Sequence, residues 1–330
     1  MISAVLSKIL ISLCLIFVGW LGALRLGRGT EAARLSAGVG LLGRLVLDVS
    51  LPALAFTAIV RTTAPGSQRA AWLIPLFGFG LCAVAALVGA AVAAVTARPP
   101  LRRTLTFVIG VPNWIYLPLP IAAGLYGEIG TRTVLLCNVG ALCWLWTFGV
   151  FILSGRSSLR AALRAVGARP GLWATLAGLA VGLWAPGVRD YAGAASLPSH
   201  PAAFVWTVLF QSLELLGTLT TPLALLVTGA QLAELRDQAR PRGREFAAAL
   251  AGRLLLAPLL TFAVLRFLPV VLAPGERATV ALIAAMPVAV SATLFTREFG
   301  GDDGLAATSI VWSTAAALLT VPLLLALWPQ

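Results

Sequence analysis

Charge is what this 330-residue chain has least of: Asp, Glu, Lys and Arg together make up 11% of it, against roughly a quarter in soluble domains. Twelve residues are acidic, Lys8 is the single lysine and His200 the single histidine. With 59% apolar residues and a mean hydropathy of +0.95, a water-soluble fold would lack the polar residues to cover its core. The four cysteines (Cys14, Cys82, Cys137, Cys143) lie inside apolar runs without metal-ligand spacing, which points to free thiols rather than a zinc site or a disulfide framework. There is no Walker A motif, no HExxH and no pair of aspartates within an apolar run, so the chain reads as a non-enzyme with no cofactor. A net charge of +12 does not signal nucleic acid, because the basic residues lie between apolar runs and not on a hydrated face. It reads as topology information, with a secondary affinity for anionic lipid headgroups.

What the chain does have is apolar runs long enough to cross a bilayer, which takes about 20 residues each. They fall at 4–24, 37–60, 71–96, 104–125, 133–154, 171–187, 203–232, 245–268, 277–297 and 305–328. The expected fold is therefore an all-α membrane protein of ten transmembrane helices. Lys8 is the sole early positive charge, and Arg25, Arg28 and Arg34 follow the first run; that order fits a retained span and not a cleaved signal. Fifteen arginines fall in the odd connections (1–2, 3–4, 5–6, 7–8, 9–10) and six in the even ones. The odd connections are thus expected in the cytoplasm and both termini outside. The seventh run is long, and is expected to tilt or to bend at Pro222.

LPALAFTAI (51–59) resembles TPLALLVTGA (221–230), Pro75 corresponds to Pro258, and runs four and nine are both interrupted by proline. A repeat of five spans must enter the membrane from opposite sides in its two copies, so the repeat is inverted, as in transporters whose broken helices mark the binding site. The halves are 1–155 and 171–330, joined by a cytoplasmic linker at 156–170.

Run four reads GVPNWIYLPLPIAAGLYGE. Pro112, Pro118 and Pro120 remove three backbone donors, which is tolerated in hydrocarbon only in packed protein or beside a wet cavity. Asn113 lies in this break, either as a ligand group or as a half-helix cap. Run nine, AAMPVAVSATLFTREFGG, offers the partner break at Pro287, with Ser291 and Thr293 able to bond a ligand or to back-bond to their own helix. If the breaks cross, half-helix N-termini with partial positive charge favour an anion such as a carboxylate. Lone charges in a membrane cost at least about 2.5–3.5 kcal/mol, which singles out Asp48 and Glu214. Asp48 is either a proton-linked or support carboxylate or the partner of Arg44, four residues back on the same face. Glu214 stands eight residues before Pro222, as Arg44 does before Pro52. Arg253 and Arg266 read as snorkelling span ends, the tryptophans as interfacial anchors, and His200 as a loop residue.

Asn113 followed by Pro120 and LYG (125–127), PLALLVTGAQL (222–232), AAMP (284–287), TREFG (296–300) and Ser313–Thr314 with Pro322 together resemble the auxin efflux carrier family, which includes the plant PIN-FORMED carriers and bacterial carriers of malonate-like acids. The resemblance covers essentially the whole chain. It implies two inverted five-helix repeats, an NhaA-like and bile-acid-symporter-like arrangement, with a scaffold from helices 1, 2, 6 and 7 and a transport domain from helices 3–5 and 8–10. Helices 4 and 9 would cross at Pro120 and Pro287. A small organic anion would bind beside the crossing at Asn113, and an elevator movement would give alternating access in the plasma (inner) membrane, with a homodimer as a possible assembly. The family usually has Gly where this chain has Pro118, and bacterial members often have Asn where it has Ser291, so the family's substrates do not transfer directly. Two other readings stay open. One is a sodium-coupled bile-acid-type symporter, whose ion cage would need Asp48, Asn138, Ser291 and Thr293 to converge. The other is a non-transporting membrane sensor or channel with the same breaks.

Overall fold

The computed structural model describes residues 2–27, 31–63, 68–156, 158–185, 200–241, 243–267 and 272–328. Helix α1 (Ile2–Leu26) precedes α2 (Glu31–Leu45), which passes through a π turn (Val46–Ser50) into α3 (Leu51–Thr62). Next come α4 (Gln68–Thr96), α5 (Pro99–Gly110) and α6 (Pro118–Trp144). A second π turn (Leu145–Gly149) leads to α7 (Val150–Ser154), then α8 (Leu159–Gly167) and α9 (Pro170–Trp184). The chain resumes with α10 (Pro201–Thr218) and α11 (Thr220–Leu235). Helix α12 (Gly243–Ala251) runs through a third π turn (Gly252–Leu256) into α13 (Ala257–Phe267). Helices α14 (Pro274–Ala284), α15 (Ala292–Phe299) and α16 (Asp303–Leu327) complete it.

Seven helices among the described residues are long and apolar enough to cross a membrane. The fourth, sixth and ninth runs of the sequence are not among them as continuous helices. The sixth is the shorter apolar helix α9, and the fourth and ninth are each cut by an extended break, at 111–117 and around 285–291. Gly127, with φ 60° and ψ −139°, turns the chain inside α6, where the sequence reading separates its fourth and fifth spans.

Proline chemistry explains two of the π turns. A proline ring crowds the carbonyl four residues back and supplies no N–H. For Pro52 and Pro258 those carbonyls belong to Asp48 and Leu254, both inside π turns. There the helix widens to bonds five residues apart, from Leu51 N–H to Val46 O and from Ala257 N–H to Gly252 O, which relieves the crowding. The seventh run is interrupted for one residue at Leu219, between α10 and α11 and just before Pro222, with Leu219 keeping right-handed helical dihedral angles.

Packing falls into two groups. Helix α1 packs most extensively on α11, and α3 on α9 and α10; α4 packs on α5 and α6, and α6 on α14. The tightest of these meetings lack side chains. A Cβ on Gly229 of α11 would lie 1.9 Å from the Ile16 carbonyl of α1, and one on Gly140 of α6 would lie 1.7 Å from the Pro75 carbonyl of α4. Small residues let membrane helices approach this closely when lipid gives no hydrophobic drive. Around the breaks the core is complete: Leu105, Phe107, Ile109, Leu282, Ile283 and Met286 are fully buried. On the outside, large apolar side chains such as Ile11, Leu41, Leu87, Leu215 and Leu323 are exposed, a surface suited to lipid rather than water.

Replacing Gly229 with Leu should separate α1 from α11. Overpacking costs about 1–3 kcal/mol or more, so the variant is expected to show a lower Tm in detergent and a lower yield than the wild type.

Candidate functional site

The two breaks meet. Pro112 and Val288 form an antiparallel bridge, in which Asn113 N–H donates to Pro287 O at 2.7 Å and Ala289 N–H to Val111 O at 3.0 Å. Val288 N–H donates to Ser313 Oγ of α16 at 3.1 Å. The crossing therefore lies at Pro112 and Val288, one residue from Pro287 and well away from Pro120. Pro118 and Pro120 start α6 instead of breaking a helix, because a missing N–H costs nothing in a first turn.

Each break leaves carbonyls without helical partners at the end of its first half-helix. One side chain serves both ends. Arg253, in the third π turn, is 1% exposed. Its guanidinium donates to Ile109 O at the end of α5 (2.8 Å) and to Ala284 O at the end of α14. The snorkelling role expected from the sequence is wrong for this residue: bonds to two broken helices hold it inward, and it lies mid-chain in packed protein.

Beside the crossing lies a cavity of about 280 Å³. Its walls include Pro112, Asn113, Trp114 and Tyr116 from the first break, Ser291 and Phe295 from the second, Asp48 from the first π turn, and Trp146. It extends to Arg169 and Pro170 at the start of α9 and to Glu298 in α15. Asn113 is 5% exposed; its backbone N–H holds the crossing, and its carboxamide has no hydrogen bond among the described residues. Ser291, half-buried, stands just ahead of α15 with its hydroxyl equally uncommitted. Trp114 Nε1 donates to Asn138 Oδ1 at 3.0 Å in a buried contact, which fixes the indole as one wall.

Arg169 is the cation of this cavity. Its guanidinium lies over the Trp146 ring at 5.2 Å from the centroid. Among the described residues no carboxylate lies within 4.0 Å of it, and its Nε is buried without a partner. The sequence offered it only as one more basic residue of the connection at 156–170.

Of the expected site residues, Asn113, Ser291 and Asp48 come together at the cavity. Pro287 contributes its carbonyl to the crossing. Thr293 does not line the cavity, and its hydroxyl donates back to Val290 O at 3.3 Å. Pro120 lies in the first turn of α6. Glu214 lies elsewhere, in an ion pair with Arg61 Nε. The suggested Arg44–Asp48 pair does not form among the described residues; both side chains are exposed, and the π turn at Val46 takes them off the common face that a regular helix would give. Of the four residues a sodium cage would need, Asp48, Asn138 and Ser291 line the cavity, with Asn138 Oδ1 accepting from Trp114, and Thr293 is absent from its walls. No cluster of three or more His, Cys, Asp or Glu suited to a metal occurs among the described residues.

Apolar helices, two crossed breaks and a largely apolar cavity beside them that holds a few polar side chains define a multi-pass membrane protein of the transporter type. The model of the membrane transport protein family matches residues 4–169 and again 168–325, and the chain belongs to this family, that of the auxin efflux carriers. It is also 26% identical over 301 residues to a protein of Methanothermobacter thermautotrophicus described as an uncharacterized transporter, with 86% of each chain covered.

Trp114→Phe removes the buried bond to Asn138 while keeping an aromatic wall. It should lower stability by about 1 kcal/mol, read as a small drop in Tm with the protein still folded.

Proposed function

We propose that this chain is a secondary transporter, or a facilitator, for a small organic anion carrying a carboxylate. The observation that carries the reading is the uncompensated Arg169 guanidinium in the same cavity as the free carboxamide of Asn113 and the hydroxyl of Ser291. An arginine fork matches a carboxylate in two parallel hydrogen bonds, and amide and hydroxyl donors complete its coordination. The second half-helices start beside this space, at Pro118 and Ala292, and their N-termini carry about half a positive charge each. Asp48 and Glu298 on the walls disfavour solutes with several negative charges. The indole and phenyl walls suit an apolar body behind the carboxylate.

In this proposal the chain crosses the inner membrane ten times in two inverted halves, with the broken spans fourth and ninth. Helices α1, α2, α3, α9, α10 and α11 form a fixed scaffold. Those that pack around the crossing move past it as an elevator. The cavity wall at Arg169 belongs to the 5–6 connection, which the arginine distribution puts in the cytoplasm, so the form described here is open inward. Asn113 and Ser291 then ride on the moving part, while Arg169 and Asp48 belong to the fixed one. An anion held between Asn113, Ser291 and Arg169 loses the Arg169 guanidinium as the carrier shifts.

The test is uptake into proteoliposomes against a panel of mono- and dicarboxylates, with sodium and pH gradients varied separately. Saturable uptake of a monocarboxylate above that of protein-free vesicles supports the proposal; no uptake of any acid on the panel contradicts it. Asn113→Ala is expected to abolish uptake with Tm unchanged, since the crossing uses this residue's backbone and not its side chain. Arg169→Gln is expected to raise KM about ten- to hundredfold, the value of a charge-assisted hydrogen bond. Wild-type kinetics in both variants would remove the assigned site.

A further inference from the structure

Two arginines are buried within the described part of the chain; the Nε of each is without a hydrogen-bond partner there, and the partners of their terminal nitrogens differ. Arg132 faces Glu276 at 3.9 Å and donates to Thr62 O. Among the described residues Arg253 has no carboxylate within 4.0 Å. Its partners are the carbonyl oxygens of Ile109 and Ala284, the last residues but one and last of the two first half-helices. A helix C-terminus carries about −0.5 of an elementary charge, so two of them together present roughly the −1 that one guanidinium offsets. The same two carbonyl ends, facing each other in a water-poor interior, are oxygen ligands of the kind a hard metal cation takes. In this chain the space between them is filled by a side chain that cannot dissociate and cannot lose its proton.

We propose that Arg253 is a tethered cation standing where a metal ion would otherwise bridge the two half-helix C-termini, so that the crossing is held together without sodium. Arg253 is thereby a positioning residue: it acts on the substrate only through the crossing that places Asn113 and Ser291. With both C-termini offset by a fixed charge, the N-termini of α6 and α15 are left as the uncompensated dipoles of the two broken helices. The inference rests on the transport reading only for its bearing on the coupling ion.

The test needs no substrate, so it separates from the uptake experiment. A chain that moves no carboxylate would sink the transport reading and leave Arg253 to be judged on its own. Hydrogen–deuterium exchange is followed in lipid nanodiscs for the full chain, in sodium chloride and in choline chloride, at the amides of Asn113 and Ala289, which make the two crossing bonds. For the wild type the two salts should give the same rates. Arg253→Met is expected to speed exchange at these two amides about tenfold or more, the loss of charged hydrogen bonds, with α1 and α11 unaffected. Arg253→Lys, which restores the charge, should bring the rates back towards the wild type, whereas a merely space-filling role would make Met the better substitute. Sodium-specific protection of the wild-type amides would overturn the proposal, as would unchanged exchange in a folded Arg253→Met or equal loss in Lys and Met. If the Met variant fails to fold, the salt comparison and the Lys variant still decide.

Discussion

In a medium without water every backbone group that leaves a helix must find a partner in the protein, and this constraint governs the centre of the molecule. Two breaks free donors and acceptors at the same depth, and each is answered by a specific neighbour. The breaks pair with each other through Asn113 and Ala289, Ser313 takes the Val288 N–H, and Arg253 takes one carbonyl from each first half-helix. Irregular backbone is thus stable there only because both breaks are present and Arg253 lies between them. What the crossing does not use, the side chains of Asn113 and Ser291 among them, is left facing the cavity.

The scarcity of charge and the ten apolar runs made the membrane class and the helix positions legible, because the bilayer selects for apolar runs whatever their partners are. The breaks were legible too, since three prolines in nine residues cannot sit in a continuous helix. Which proline does the breaking was not. Pro112, Pro118 and Pro120 look alike in one dimension, and their roles differ by whether each N–H would have been needed. Likewise the i, i+4 spacing of Arg44 and Asp48 implied a pair only for a regular helix, and Pro52 removes that regularity by forcing the wider turn.

The site was half legible. Asn113, Ser291 and Asp48 stand out as polar residues in apolar runs, and the structure brings them to one cavity. Arg169 and Arg253 were missed for a common reason: an arginine near the end of an apolar run looks like a topology signal or a snorkelling side chain. Only its partners show otherwise. The terminal nitrogens of Arg253 are spent on backbone carbonyls, whereas Arg169 stacks on Trp146 without a carboxylate partner among the described residues, which gives one buried cation to the crossing and one partly buried cation to the cavity. A lone arginine inside an apolar run, five residues before a proline, as with Arg253 and Pro258, was the available signal.

The most direct measurement of this account is a cross-link between the two breaks. Residues facing each other as a non-hydrogen-bonded antiparallel pair have close Cα atoms, about 4.5 Å apart, within the range that a disulfide spans. With the four native cysteines replaced by serine or alanine, Pro112→Cys combined with Val288→Cys should form an intramolecular disulfide rapidly under mild oxidation in the membrane. Pro120→Cys with Val288→Cys should not. Failure of the first pair to link in a folded protein, or equal linking of both, would contradict a crossing at Pro112 and Val288.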